Sequence, residues 1–298
     1  MTPGKPRSLS MPSYWFGDVT GGKCTPAGSH DPEYLSFRLD GIRTEMESFC
    51  PPAWEAARDS GFVSSRGEYI RVLREVCIYR AEKALALVAA RPEQELIQMV
   101  HMRDQLDEVI NLVTGRALEW HAARSPEFSR KFRALKGKRA LEALVAGGSP
   151  RVRGIATGMM HLSEVKADLT REIEQMAGEV IPNCTGLVGG VVAARLLAAA
   201  GGLEALARLP AGTIQVLGAR TALFAHIRSG SAPPKHGIIY QYRKVHGAKK
   251  GRKGKVSRTL AAKIALAARI DYFRGERDEE FLDTARAAVE RAAGESGS

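Results

Sequence analysis

Apolar residues recur at alternating intervals of three and four along two stretches of the chain, and this spacing predicts two long amphipathic helices. In the first, Leu96, Met99, Arg103, Leu106, Ile110, Val113, Ala117 and Trp120 share one line, with Arg103 alone polar. In the second, Val152, Ile155, Met159, Leu162, Lys166, Leu169, Ile173, Met176 and Val180 do the same, with Lys166 the exception. A helix over 151–180 would run ~45 Å at ~1.5 Å per residue, about the length of its partner, so the two can pair antiparallel as a hairpin. The connection over 125–150 carries Arg130, Lys131, Arg133, Lys136, Lys138 and Arg139. It is long for a bare loop, and a basic tip with a short helix is expected. The pattern alone fits either an ordinary bundle core or a protruding coiled-coil arm that dimerises or spaces domains. In the second case Leu106, Ile110, Val113, Leu162, Leu169 and Ile173 are the dimerisation residues.

Other punctuation along the chain predicts mainly helix. Residues 1–33 are rich in Gly, Pro and Ser, with an aromatic island at Tyr14, Trp15 and Phe16 that reads as a strand or as a docking element. A helix from about Pro32 to Phe49 is expected to end before Pro51 and Pro52, and a short one over Ala53–Asp59 to stop at Gly61. Ser65 followed three residues later by Glu68 reads as a capping box that opens a helix through Ala90, which Pro92 breaks or kinks. After Pro182 come Gly186, Gly189, Gly190 and the small residues of 193–202. No Gly-Lys-Ser/Thr triplet follows, so close helix packing is preferred over a phosphate loop. Further helices are expected over Leu203–Leu209, Thr213–Gly230, Ser257–Ile270 and Asp278–Ala293, with a loop over Ala232–Gly254 and a disordered tail over 294–298.

Charge changes this picture. Of the 44 basic residues, 14 fall between Ala205 and Ile270, a window with no Asp or Glu, which leaves 30 basic against 33 acidic residues elsewhere. The net charge of +11 therefore belongs to one segment. Unrelieved like charge costs self-repulsion in a folded domain, so a polyanion is expected to supply the counter-charge, nucleic acid before an acidic membrane surface. Apolar stretches at Thr213–Leu217 and Ala261–Ala268 indicate that the window folds.

Composition excludes several classes. With 44% hydrophobic, 26% charged and 6% aromatic residues the chain reads as a helical globular protein. Its longest apolar run, Gly186–Leu206, is interrupted by Arg195 and Glu204, so no membrane span is expected. Lys5 and Arg7 are not followed by an apolar stretch, so no secretory signal is read and a cytoplasmic location is expected. Cys24, Cys50, Cys77 and Cys184 form no CxxC pair, and no metal site is expected. The histidines at 101, 121, 161, 226, 236 and 246 are scattered without a catalytic pattern.

Motifs within the basic window carry a specific resemblance. They are Ile181-Pro182-Asn183, Ala199-Ala200-Gly201-Gly202-Leu203, Leu209-Pro210, Thr213 through Ala219, Ala222-Leu223-Phe224, Pro233 through Tyr240 and Ala267 through Phe273. In this order, over about 95 residues, they resemble the Nop domain of the Nop family, scaffold proteins of the box C/D ribonucleoprotein. With the helical pair upstream, the resemblance runs from about Glu68 to Ala293. It implies a mainly α fold: a reduced N-terminal region (1–64), a coiled-coil domain (65–181), an all-helical Nop domain (182–293) and a tail (294–298).

The resemblance further implies a scaffold with no catalysis, cofactor or metal of its own, of archaeal type. Its implied partners are a box C/D guide RNA, a kink-turn-binding ribosomal-protein-like protein, the methyltransferase fibrillarin and a second copy through the coiled coil. Carried over, Gln215, Gly218, Ala219, Arg220 and Arg228 lie at the composite protein and RNA surface, with Lys235 and His236 beside it. Lys249, Lys250, Arg252, Lys253, Lys255 and Arg258 hold phosphates, lysines as point charges and arginines as forks. The chain departs from the family in carrying Arg220-Thr221 for Glu-Lys, Ala225 for a basic residue, Val245–Lys250 for a tryptophan-containing stretch, and a short region ahead of Glu68. The alternatives are a stand-alone RNA-processing enzyme and a general basic RNA-binding architectural protein.

Overall fold

The computed structural model of the chain describes residues 13–44, 54–125, 135 and 137–294. The chain divides into two compact units, 1–90 and 91–298.

The first unit opens with three antiparallel strands, β1 (Ser13–Tyr14), β2 (Gly17–Thr20) and β3 (Lys23–Pro26), in that spatial order. Gly21 and Gly22, at φ 58° and 79°, form the left-handed two-residue turn that joins β2 to β3. Helices α1 (Pro32–Thr44), α2 (Trp54–Asp59) and α3 (Arg66–Ala89) follow. The aromatic island is spent on the unit's own core: Trp15 and Phe16 are buried with Leu35, Phe62 and Tyr69, and Trp15 Nε1 donates to the Tyr69 hydroxyl at 3.0 Å. Ser65 caps α3, its Oγ accepting from Glu68 N at 3.2 Å. The Glu68 carboxylate instead accepts from Ser64 N at 2.8 Å and Ser64 Oγ at 2.6 Å, bonds that hold it below the usual carboxylate range. Helix α3 turns Tyr69, Val72 and Val76 into this unit's aromatic core. The expected end of the first helix before Pro51 and Pro52 lies outside the described residues, as does Cys50.

In the second unit Pro92 begins a helix. Arg91 is extended, and proline takes the first helical position, where its missing N–H leaves no bond unmade. Helices α4 (Pro92–Arg124) and α6 (Pro150–Val180) form the predicted hairpin, joined through α5 (Lys138–Gly147). Leu96 shares a core with Ile173 and Ala177, Asp107 accepts from Lys166 at 2.5 Å, and Ala117 clusters with Val152 and Ala156, which fixes the antiparallel register. Arg130, Lys131, Arg133 and Lys136 of the tip lie outside the described residues.

The seam residues named as the dimerisation set line the hairpin itself. Ile110 is 5% and Ile173 0% exposed, closed off by the chain's own helices. Leu106, Val113, Leu162 and Leu169 are half-buried in the same seam. The large apolar side chains that α4 and α6 expose are Met102, Val109, Leu112, Trp120 and Val165.

Small helices then wrap one long one: α7 (Pro182–Val188), α8 (Gly190–Ala200), α9 (Leu203–Arg208), α10 (Ala211–Val216), α11 (Arg220–Ser229), a 3-10 turn (Ile238–Gln241), α12 (Arg243–His246), α13 (Lys253–Phe273) and α14 (Glu279–Ala293). Small residues act as expected: a Cβ on Gly190 would stand 2.8 Å from Glu174 Cα, so only glycine lets α8 approach α6 this closely. At the end of α13, buried Asp271 accepts from Asn183 N (2.8 Å), Asn183 Nδ2 (2.8 Å) and Cys184 N (2.9 Å). Asn183 Oδ1 in turn accepts from Asp278 N at 2.8 Å. Two signature motifs, Ile181-Pro182-Asn183 and the segment ending at Phe273, are thus a lock between α7 and α13. Burial first and the Asp271 charge second push the Cys184 thiol well up, leaving it protonated.

The helix expected over Thr213–Gly230 is two helices. Gly218, at φ 84°, breaks it, and a Cβ there would meet Ile238 at 2.6 Å. The expected loop over Ala232–Gly254 holds the 3-10 turn and α12, and α13 begins at Lys253 in place of Ser257. Among the described residues no helix is long and apolar enough to cross a membrane.

Candidate nucleic-acid interface

The break at Gly218 builds the first half of the site. With the helix interrupted, the backbone after α10 is free to pair with the segment beyond the double proline: Gly237 N donates to Gln215 O at 2.9 Å and Ile238 N to Leu217 O at 2.8 Å. Gln215 Nε2 adds a bond to Lys235 O at 2.8 Å. Gln215, Gly218, Ala219, Lys235 and His236, up to 21 positions apart in sequence, are thereby brought together. Arg220 opens α11 and Arg228 lies in its last turn.

No residue of α11 is buried. Leu223 (39%), Phe224 (61%) and Ile227 (69%) form an exposed apolar row between the two arginines. Charge counting passed over this row, because apolar residues at intervals of one and three on a helix normally read as core.

The 3-10 turn builds the second half. The ring of His236 lies parallel to Tyr240 at 4.2 Å between centroids. Lys253, at the start of α13, donates to the Tyr240 hydroxyl at 3.1 Å and stands 4.9 Å from the ring centre. Burial first, and then the Lys253 charge, hold His236 below its ordinary value. Along α13, Val256, Leu260 and Ile264 face inward, which turns Lys255 and Arg258 out to solvent beside exposed Lys249 and Lys250.

Arg252 is drawn elsewhere. Its guanidinium sits against Gly294, the C-cap of α14, where the helix dipole favours a cation. Within the run Lys249–Arg258, Lys249, Lys250, Lys255 and Arg258 are presented outward, while Arg252 lies against Gly294 and Lys253 against Tyr240. Among the described residues, the carboxylate partners within the acid-free window are Glu204 with Arg208 and Glu290 with Lys244. Among the described residues, the other cations of the window have no carboxylate at ion-pair distance. Among the described residues, no group of three or more His, Cys, Asp or Glu is placed to hold a metal.

Comparisons with known proteins agree with this architecture. A match to the Nop family, described as "snoRNA binding domain, fibrillarin", covers residues 144–293. An uncharacterized NOP5 family protein of Methanocaldococcus jannaschii is 30% identical over 273 residues, covering 80% of this chain and 66% of its own length. Nucleolar protein 58 of Candida albicans is 30% identical over 231 residues, covering 65% of this chain and 45% of its own length. The chain thus spans 66% and 45% of the length of these two relatives. A crystal structure of a fibrillarin/Nop5p complex superposes with a TM-score of 0.50 at 29% identity, covering 93% of this chain and 98% of the other. With the family match extending over half of its residues, the chain belongs to the Nop family.

Proposed function

We propose that the chain is a non-catalytic RNA-binding scaffold of a box C/D ribonucleoprotein that directs 2′-O-methylation. In this reading it binds kink-turn RNA together with a small ribosomal-protein-like partner and recruits fibrillarin. The observation that carries the proposal is the outward group of Lys249, Lys250, Lys255, Arg258 and Lys235, unmatched by carboxylates among the described residues, beside the exposed apolar row of α11. The cations suit phosphates, and the row Leu223, Phe224 and Ile227 suits a protein surface. One face then reads both components, with Gln215, Gly218, Ala219, Arg220, Arg228 and His236 at their junction.

The fibrillarin/Nop5p complex supports recruitment of the methyltransferase, because its likeness extends over 93% of this chain. A second copy would pack on the outward row Met102, Val109, Leu112 and Val165. The test is reconstitution: guide RNA, kink-turn binder and fibrillarin are mixed with the chain and methyl transfer to a complementary RNA is measured. Transfer that needs the chain, with none from the chain alone, supports the scaffold. Turnover by the isolated chain would favour the stand-alone enzyme. Removing residues 1–64 assigns fibrillarin docking, since loss of transfer with retained RNA binding would place it in the first unit.

A further inference from the structure

A titratable ring lies inside the cationic face. His236 is stacked on Tyr240 with an interplanar angle of 17°, and Lys253 contacts the same phenol through both its hydroxyl and its ring. His246 meets Tyr240 edge-on, with centroids 5.1 Å apart. The imidazole is anchored: its neighbours Lys235 and Gly237 are each tied to Gln215. The charges that act on it are Lys253 from α13 and Lys235 from its own segment, with Tyr240 and His246 as the other titratable neighbours. Burial and these two ammonium groups disfavour the imidazolium, against a hydrogen bond to the residue's own backbone that favours it. The free protein therefore holds a mostly neutral imidazole in a cationic setting near neutral pH.

We infer that Lys235, His236 and Lys253 form a proton-coupled phosphate site, in which His236 takes one proton from solvent as a backbone phosphate of RNA seats against the two lysines, and releases it when the phosphate leaves. The reason is electrostatic. The phosphate charge offsets the ammonium groups whose repulsion keeps the proton off, and adds an attraction for the imidazolium. Linkage then requires the converse: if phosphate raises the affinity for the proton, the proton raises the affinity for phosphate by the same factor. Affinity rises as pH falls from the bound-state to the free-state pKa, and is level outside that interval. This inference rests on the RNA-binding reading above and adds to it a dependence that fixed lysine charges do not produce.

The experiment is equilibrium binding of a kink-turn RNA, already loaded with its kink-turn binder, at fixed ionic strength from about pH 8 to about pH 5.5. The native chain is expected to bind roughly three- to tenfold tighter at the acid end, the span that a pKa difference of about half to one unit allows. His236→Gln should flatten the profile, and His246→Gln should keep it. An NMR titration of the His236 ring in the native chain, free and RNA-bound, gives a second reading that needs no variant: its midpoint should move up on binding. A profile unchanged in His236→Gln, or an unmoved midpoint, overturns the inference while RNA binding stands. Absence of binding at every pH overturns both.

Discussion

Asp271 shows how much one side chain carries. It is 3% exposed, and its two oxygens accept three N–H groups from Asn183 and Cys184. Asp271→Asn sets an amide NH₂ against a donor and leaves a buried group unpaired, a loss of about 1–3 kcal/mol. Thermal unfolding of the second unit should therefore begin at a lower temperature, and an unchanged midpoint would contradict the lock. Asp107 makes a prediction in acid. Its hydrogen bond from Lys166 holds it below the usual carboxylate range. A depressed folded-state pKa gives stability that is present above the unfolded value and lost as pH falls through the folded one. The native chain should thus lose more stability between about pH 5 and about pH 3 than Asp107→Asn, whose residue 107 does not titrate. Equal losses in denaturant unfolding would dismiss the pair.

At the scale of elements, the hairpin of α4 and α6 was legible because intervals of three and four persist over eight and nine positions. The pattern tells which side is apolar, but does not tell whether a sister helix or a second copy covers it. The burial of Ile110 and Ile173 shows the sister helix. Ile110→Asp should accordingly unfold the hairpin, whereas Val109→Glu with Leu112→Glu should leave it folded and shift any dimer to monomer in sedimentation. A dimer unaffected by the second pair would place the interface elsewhere.

The break between α10 and α11 was less legible. Gly218 lies inside an otherwise helical run, and its need for a left-handed conformation arises from pairing with residues 237 and 238, a contact between distant segments. The cationic run behaves similarly. Lys253 and Lys255 look equivalent until Val256, Leu260 and Ile264 fix the face of α13 that turns inward. The signature motifs lie within the region matched to the family, and Asn183 and Asp271 among them form the lock of the fold.

For the whole molecule, the uneven charge distribution is the property that links sequence to partner. Residues whose charged groups meet phosphates should release counterions on binding. Replacing Lys249, Lys250, Lys255 and Arg258 together by Gln should lower the slope of log affinity against log salt by about 3, at ~0.7 to 0.9 per phosphate contact. The fold should be untouched, since all four side chains are exposed. A pair at Arg252 and Lys253 should change the slope less, because Arg252 lies on the C-cap of α14 and only Lys253 then gives up a phosphate contact. A slope unmoved by the fourfold change would locate the RNA on another face.

The central claim is that the cationic edge and the apolar row of α11 work as one surface for RNA and protein together. The measurement that tests it most directly is the affinity of the chain for a kink-turn RNA with and without its kink-turn binder, set beside a plain duplex of equal length. The account predicts tight binding only to the preformed RNA–protein pair, and its loss in Phe224→Asp, an exposed position whose change leaves folding intact. Equal affinity for the plain duplex, indifferent to the binder and to Phe224, would contradict it.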